Sequence, residues 1–220
     1  MPMEVDRTLW QGEPISMVVA SSRALAEDAI NDIDVEFQEL PAVTSTEDAL
    51  GENVALIHET LGTNLAWERT VDVGDVSKVF TDPENIIVER DFTFGRHTGV
   101  TLEARCTIAN FDPSTDELEV YYSGQAPHMM QFIYAKHLGL LEERVRVISH
   151  DVGGAFGIKV HTYGDEIATA AAAKILRRPV KFVADRYESF FSAIHARDHT
   201  VSAKIAVSKK GKLLAIDFDD

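Results

Sequence analysis

Asp151-Val152-Gly153-Gly154-Ala155-Phe156-Gly157-Ile158-Lys159-Val160 follows a β-branched run, Val145-Arg146-Val147-Ile148, and precedes an alanine-rich stretch from Gly164 to Leu176. Three glycines within five residues remove Cβ atoms, permit positive φ and expose peptide N–H groups beside a helix start. Two readings fit such a turn. Its backbone donors receive an anionic group such as a phosphate, or its glycines allow a strand and a helix to pack tightly. Two familiar phosphate motifs are excluded. In a P-loop the lysine directly follows the last glycine and a Ser/Thr hydroxyl comes next, but here Ile158 separates Gly157 from Lys159 and Val160 stands in the hydroxyl position. The dinucleotide fingerprint G-x-G-x-x-G fails on spacing as well.

Working outward, Ile86–Phe92, Cys106–Phe111, Leu118–Tyr122 and Val145–Ile148 read as strands, with an Asp112-Pro113-Ser114-Thr115-Asp116 turn between the second and third. Pro127 suits a first helical turn. The helix it opens should carry Met129, Phe132, Ile133 and Leu138 inward and stop at Gly139. A second helix spans Gly164 to Leu176, with so many alanines that a neighbour must approach closely, and Pro179 stops it. Val180–Ala184 reads as a short strand. Val201–Val207, a Lys209-Lys210-Gly211 turn and Leu213–Asp217 read as a hairpin. Toward the amino end, Pro14–Ala20 and Val35–Phe37 read as strands flanking a helix from Arg23 to Ile33. Pro41 closes that unit. Thr44 to Val76 is acidic and weakly periodic, the pattern of a connecting segment, so a domain boundary is expected there.

The chain has 220 residues, 45% hydrophobic, enough for one sizeable core or two small ones. No stretch approaches the roughly 18 to 20 apolar residues that span a bilayer, and the first residues lack a signal-peptide pattern, so a cytoplasmic location without membrane association is expected. The net charge of −15 disfavours nucleic acid and anionic membrane as partners. The charge is uneven: residues 1–130 carry 25 acidic and 7 basic side chains, whereas residues 131–220 carry 11 and 14. The glycine loop thus lies in the less acidic part, which suits an anionic ligand, although a solvated acidic face on the first part also accounts for the asymmetry. Cys106, the lone cysteine, can hold neither an internal disulfide nor an iron–sulfur cluster by itself and reads as a small buried residue in a strand. The chain stops inside an apolar strand, the expectation for a fragment or a split subunit.

Read together, Ser123-Gly124-Gln125-Ala126-Pro127-His128, the glycine loop, Arg178-Pro179-Val180-Lys181 and Asp185-Arg186-Tyr187-Glu188 resemble the molybdenum-binding large subunit of the xanthine dehydrogenase, aldehyde oxidase and aerobic carbon monoxide dehydrogenase family. Trp10-Gln11-Gly12-Glu13-Pro14-Ile15, Ser22–Ala29 and Leu40-Pro41-Ala42-Val43 look like the second half of the α/β hammerhead domain that precedes the molybdenum domain there. The resemblance covers essentially the whole chain. It implies an α+β fold: a partial hammerhead unit over residues 1–45, a linker over 46–80, and the first part of a mixed α/β molybdopterin-binding domain over 81–220.

The resemblance also implies an oxidoreductase that oxidises an aldehyde, carbon monoxide or an N-heterocycle with water as oxygen donor, at a molybdenum held by a pterin dithiolene in its cytosine dinucleotide form. Electrons would leave through a [2Fe–2S] small subunit and an FAD medium subunit, and the remaining large-subunit sequence, or a second large chain, would supply the glutamate base. Gln125 matches the glutamine whose amide addresses an oxygen ligand of the metal; it also suits a helix start. Phe156 and Gly157 match loop positions near metal and pterin, with the Phe156 ring able to wall off water, while a plain core role for Phe156 stays open. Gly153, Gly154 and Ala155 complete the cofactor loop, Ala155 standing where a third glycine is common. Val160 stands where purine-oxidising members carry a glutamate, so a purine substrate is not expected. Lys159 could meet a phosphate or a carboxylate, or be solvated. His128, His150 and His161 are expected to pack rather than bind metal, and no metal ligand is assigned on this chain. The alternative from another class is a non-catalytic fragment or interaction subunit that keeps the fold without the metal.

Overall fold

Alternate burial along two neighbouring strands builds the sheet that carries the glycine loop. The computed structural model describes residue 3 and residues 6–220. In chain order its elements are α1 (Arg23–Ile30), α2 (Thr46–Ala49), α3 (Val76–Thr81), β1 (Ile86–Phe94), β2 (Cys106–Asp112), β3 (Glu117–Tyr122), α4 (Pro127–Leu138), β4 (Val145–Ile148), α5 (Gly164–Leu176), β5 (Val180–Val183), α6 (Arg186–Ser192), β6 (His199–Val207) and β7 (Leu213–Asp219). The class is α+β.

One compact unit combines residues up to Glu39 with Thr98–His195. Its four-stranded sheet has the order β4-β3-β2-β5. β2 runs antiparallel to β3 and β5, whereas β3 and β4 are parallel, with Tyr121 opposite Ile148. Thr107, Ala109 and Phe111 of β2 and Leu118, Val120 and Tyr122 of β3 are buried on one face, and Ile108 and Tyr121 point to the other, exposed face. The two-residue period of a strand dictates this split. α4 and α5 cover the buried face, α4 packing on β4 and α5 on β2, β3 and β5. Ala168, Ala170, Ala172 and Ala173 of α5 are buried, so small side chains do permit the close helix approach expected of an alanine-rich helix.

The second unit combines Leu40–His97 with Ala196–Asp220. Its sheet has the order β1-β6-β7, antiparallel throughout. The hairpin turn closes as the sequence reads, with Gly211 at φ 80° and its N–H donating to Ser208 O at 2.8 Å. α3 packs on β7.

Two expectations are corrected. Pro14–Ala20 and Val35–Phe37 form no strands: among the described residues nothing pairs with them, and Phe37 is 70% exposed. An alternating pattern marks a possible face, but only a partner's ladder makes a strand. In α4 the buried residues are Met130, Tyr134 and Ala135, while Met129 and Phe132 face outward and Ile133 and Leu138 pack at the margin. That helix is apolar nearly all round, so its period could not select a face. α5 begins at Gly164, as the sequence reads, and so stands apart from the glycine loop. A short 3-10 turn, Ile158–Val160, and three further residues intervene.

Candidate functional site

Parallel pairing places the carboxyl ends of β3 and β4 side by side, the edge at which open α/β sheets receive ligands. Ser123-Gly124-Gln125 leaves β3 there, and Ser149 to Gly157 leaves β4. Hydrogen bonds stitch the two segments together. Ser149 Oγ donates to Gly124 O at 2.7 Å, and the Gln125 N–H donates to Lys159 O at 3.1 Å. The first segment turns sharply because Gly124 lies against the Tyr122 ring: a Cβ there would come within 1.8 Å of Tyr122 Cε2. The Tyr122 hydroxyl in turn accepts from the Ala126 N–H at 2.9 Å and so fixes the start of α4.

Within the glycine loop, Gly154 N donates to Val152 O at 2.9 Å and Ile158 N to Ala155 O at 2.8 Å, while Gly153 N donates to Glu103 Oε2 at 2.7 Å. Among the described residues, the N–H groups of Ala155, Phe156 and Gly157 and the Gln125 carboxamide meet no hydrogen-bond partner. Phe156 sits at φ 47°, left-handed backbone that costs a residue with a side chain about 1–2 kcal/mol, and its ring is 76% exposed. It is therefore not a core residue. Gly157 adopts φ 83°, and a Cβ there would meet nothing within 4 Å. Strain, an exposed aromatic and unmatched donors thus converge on three consecutive residues, as they do at ligand sites.

Of the alternatives the sequence left open for Lys159, the structure shows the carboxylate partner, and not a solvated side chain. Its side chain is wholly buried and meets a carboxylate of this chain: Nζ lies 2.7 Å from Glu103 Oε2 and 2.7 Å from Ser123 Oγ. Partial burial of Glu103 works against its charge. Lys159, the Ser123 hydroxyl and the Gly153 N–H outweigh that cost and hold the Glu103 carboxyl at about 2. Glu103 lies 50 residues from Gly153, so no local pattern marks it; the one available signal is an acidic residue placed a few positions before a central strand.

A second buried ionic group anchors the loop's far end. Arg105 binds Asp165 with both terminal nitrogens, at 2.7 and 2.6 Å, donates to Ser192 Oγ at 2.9 Å, and lies 3.7 Å from the Tyr163 ring centroid. The Tyr163 hydroxyl donates to Ile158 O at 2.7 Å. Glu166 reaches Arg105 only at 3.5 Å, and burial pushes its carboxyl up to about 8 despite that neighbour.

His128 and His161 are exposed, and His150 stacks on Tyr121 with ring centroids 6.0 Å apart. Cys106 is half-buried in β2, and burial pushes its thiol up. Among the described residues no cluster of three or more His, Cys, Asp or Glu could hold a metal ion.

The family model of the molybdopterin cofactor-binding domain matches residues 57–220. This chain belongs to that family. The large subunit of nicotine 6-hydroxylase from Paenarthrobacter nicotinovorans is 31% identical over 211 residues, covering 96% of this chain and 26% of that protein. The carbon monoxide dehydrogenase large chain of Hydrogenophaga pseudoflava is 30% identical over 224 residues, covering 96% and 28%. Among solved structures, quinoline 2-oxidoreductase from Pseudomonas putida 86 superposes with a TM-score of 0.92 at 32% identity, covering 99% of this chain and 27% of that one. The chain therefore spans about a quarter of the length of these relatives. As a molybdopterin cofactor-binding domain, it has a donor set of the right chemistry. Unmatched N–H groups and a neutral carboxamide fit an anionic pterin that itself holds the metal, whereas a bare ion would need protein carboxylates, imidazoles or thiolates.

Proposed function

We propose that the chain is the loop-bearing portion of a molybdenum hydroxylase large subunit, part of an oxidoreductase that oxidises an aldehyde, carbon monoxide or an N-heterocycle with water as oxygen donor. One observation carries this reading. Gln125 and the glycine loop, 28 residues apart between Gln125 and Gly153, meet at the carboxyl ends of the parallel strands and leave their donors facing no acceptor among the described residues. The bound cofactor supplies two-electron oxidation and the activation of water. The chain's own residues do the rest. The N–H groups of Ala155, Phe156 and Gly157 bind anionic oxygen, with Gly153 and Gly154 shaping the turn. Gln125 offers a neutral carboxamide that orients the metal's ligand sphere without adding charge, and the exposed Phe156 ring keeps water from the reacting centre. Lys159 is not a phosphate ligand in this scheme, because Glu103 already holds it.

The finer parts of the reading follow the family. The pterin is taken in its cytosine dinucleotide form. The carboxylate base comes from the remaining large-subunit sequence or a second large chain, and the [2Fe–2S] and FAD groups ride on small and medium subunits; the relatives' own names speak of large subunits and chains. Val160 in place of a carboxylate argues against purines as substrate. The domain division proposed is 1–45, 46–80 and 81–220, the family match beginning inside the connecting segment. No helix among the described residues is long and apolar enough to cross a membrane, and a cytoplasmic location is proposed. Native purification, with molybdenum measured by elemental mass spectrometry and co-purifying polypeptides identified, tests the scheme. Near-stoichiometric molybdenum together with iron–sulfur and flavin partners is expected; a metal-free chain without partners would overturn it.

A further inference from the structure

Three donors converge on one carboxylate oxygen outside the residues assigned to the cofactor. Glu103 Oε2 accepts from the Lys159 ammonium at 2.7 Å, the Ser123 hydroxyl at 2.6 Å and the Gly153 N–H at 2.7 Å. The donors come from the turn after β4, the 3-10 turn beyond it and the end of β3, so one side chain ties three segments together. The backbone pairs in the other direction too, Glu103 N donating to Gly153 O at 3.3 Å. Contact is close enough that a Cβ on Gly153 would come within 2.6 Å of Glu103 Cβ. Exposure is lopsided: the Lys159 side chain is 0% exposed and that of Glu103 36%. A buried ammonium whose one ion pair among the described residues is Glu103 cannot be left uncompensated. Strained backbone such as that of Phe156 persists only where its surroundings over-determine it, and this junction lies two residues before Ala155.

We propose that Glu103 is a positioning residue whose carboxylate clamps the glycine loop in its donor-presenting shape, and that the cradle of Lys159 Nζ, Ser123 Oγ and Gly153 N–H is a carboxylate-binding site that takes a free small carboxylate once the side chain is truncated. The clamp on the loop stands on its own geometry; its consequence for the cofactor rests on the function proposed above. The partial exposure of Glu103 gives acetate a path to the same three donors.

The test uses Glu103→Ala and Glu103→Gln in the full chain within its native assembly. Hydrogen exchange, followed by mass spectrometry on peptides covering residues 151–158, should accelerate at least tenfold in Glu103→Ala, while peptides from β2, β3 and α5 keep the parent's rates. Acetate should restore loop protection saturably, chloride at equal ionic strength should not, and molybdenum per chain should be lower in Glu103→Ala than in the parent. Parent-like loop exchange in Glu103→Ala, or rescue by chloride equal to that by acetate, would overturn the clamp. If Glu103→Ala does not fold, Glu103→Gln, which keeps an acceptor but loses the charge, should still loosen the loop several-fold, and unchanged exchange would refute the proposal. A parent without molybdenum defeats the cofactor reading instead, while loop exchange still decides the clamp.

Discussion

Gly157→Val separates what the loop needs for folding from what it needs for its ligand. At φ 83° the substitution forces a β-branched residue into left-handed backbone, at about 1–2 kcal/mol, a factor of roughly 5–30 in equilibrium. The added Cβ itself causes no clash, since it would meet nothing within 4 Å. Against the 5–15 kcal/mol typical of a folded domain the loss is tolerable, and the variant should keep the parent's circular dichroism spectrum. The ligand side differs. The new methyl groups occupy open space beside the unmatched Phe156 and Gly157 N–H groups. Losing two hydrogen bonds to an anion costs about 3–6 kcal/mol, on the order of 10²–10⁴-fold in retention. Gly157→Ala is the graded control, carrying a similar backbone cost of about 1–2 kcal/mol without the branched methyls. Molybdenum per chain, measured after gel filtration, should be close to zero for Gly157→Val and intermediate for Gly157→Ala. Full molybdenum in a folded Gly157→Val protein would refute the assignment of the loop to the cofactor.

Three further outcomes are expected. Gln125→Ala, which removes a side chain bonded to no group among the described residues, should lower turnover of the complete complex roughly 10²-fold with molybdenum content unchanged, and an unchanged rate would remove its orienting role. Arg105→Met strands the Asp165 carboxylate and should cost about 3–5 kcal/mol by denaturant midpoint; a loss below about 1 kcal/mol would show that the buried ionic group contributes little. Glu166, held near 8 in the fold against 4.5 as a free side chain, keeps a proton that the unfolded chain has already released. Its contribution is therefore fully present below about pH 4.5 and fades as pH rises through about 8, so Glu166→Gln should gain stability relative to the parent across that window. A difference that does not change with pH would contradict the raised carboxyl.

The parts of the molecule legible in the sequence were those governed by local rules. Pro127 and Gly139 bracket α4 because one suits a first helical turn and the other adopts φ 64°, and the Lys209-Lys210-Gly211 turn closes its hairpin. The glycine loop and Gln125 were readable as motifs, and the β3–α4–β4 crossover explains why they meet. What stayed hidden depends on partners distant in sequence. Glu103 and Lys159 are 56 residues apart, and neither flank hints that a lysine beside a turn is buried on a carboxylate. Arg105 and Asp165 are separated by 60. The pairing of β1 with β6 joins Ile86 to Val207 across most of the second half of the chain. The misread face of α4 has another origin, because apolar residues on every side leave the choice to the sheet beneath.

The most direct test of the central claim is an experimental density map of the natively assembled, cofactor-loaded protein. The Phe156 and Gly157 N–H groups and the Gln125 carboxamide are expected within hydrogen-bonding distance, about 3 Å, of the cofactor and its metal ligands. A cofactor bound elsewhere, with these groups facing bulk water, would contradict the assignment.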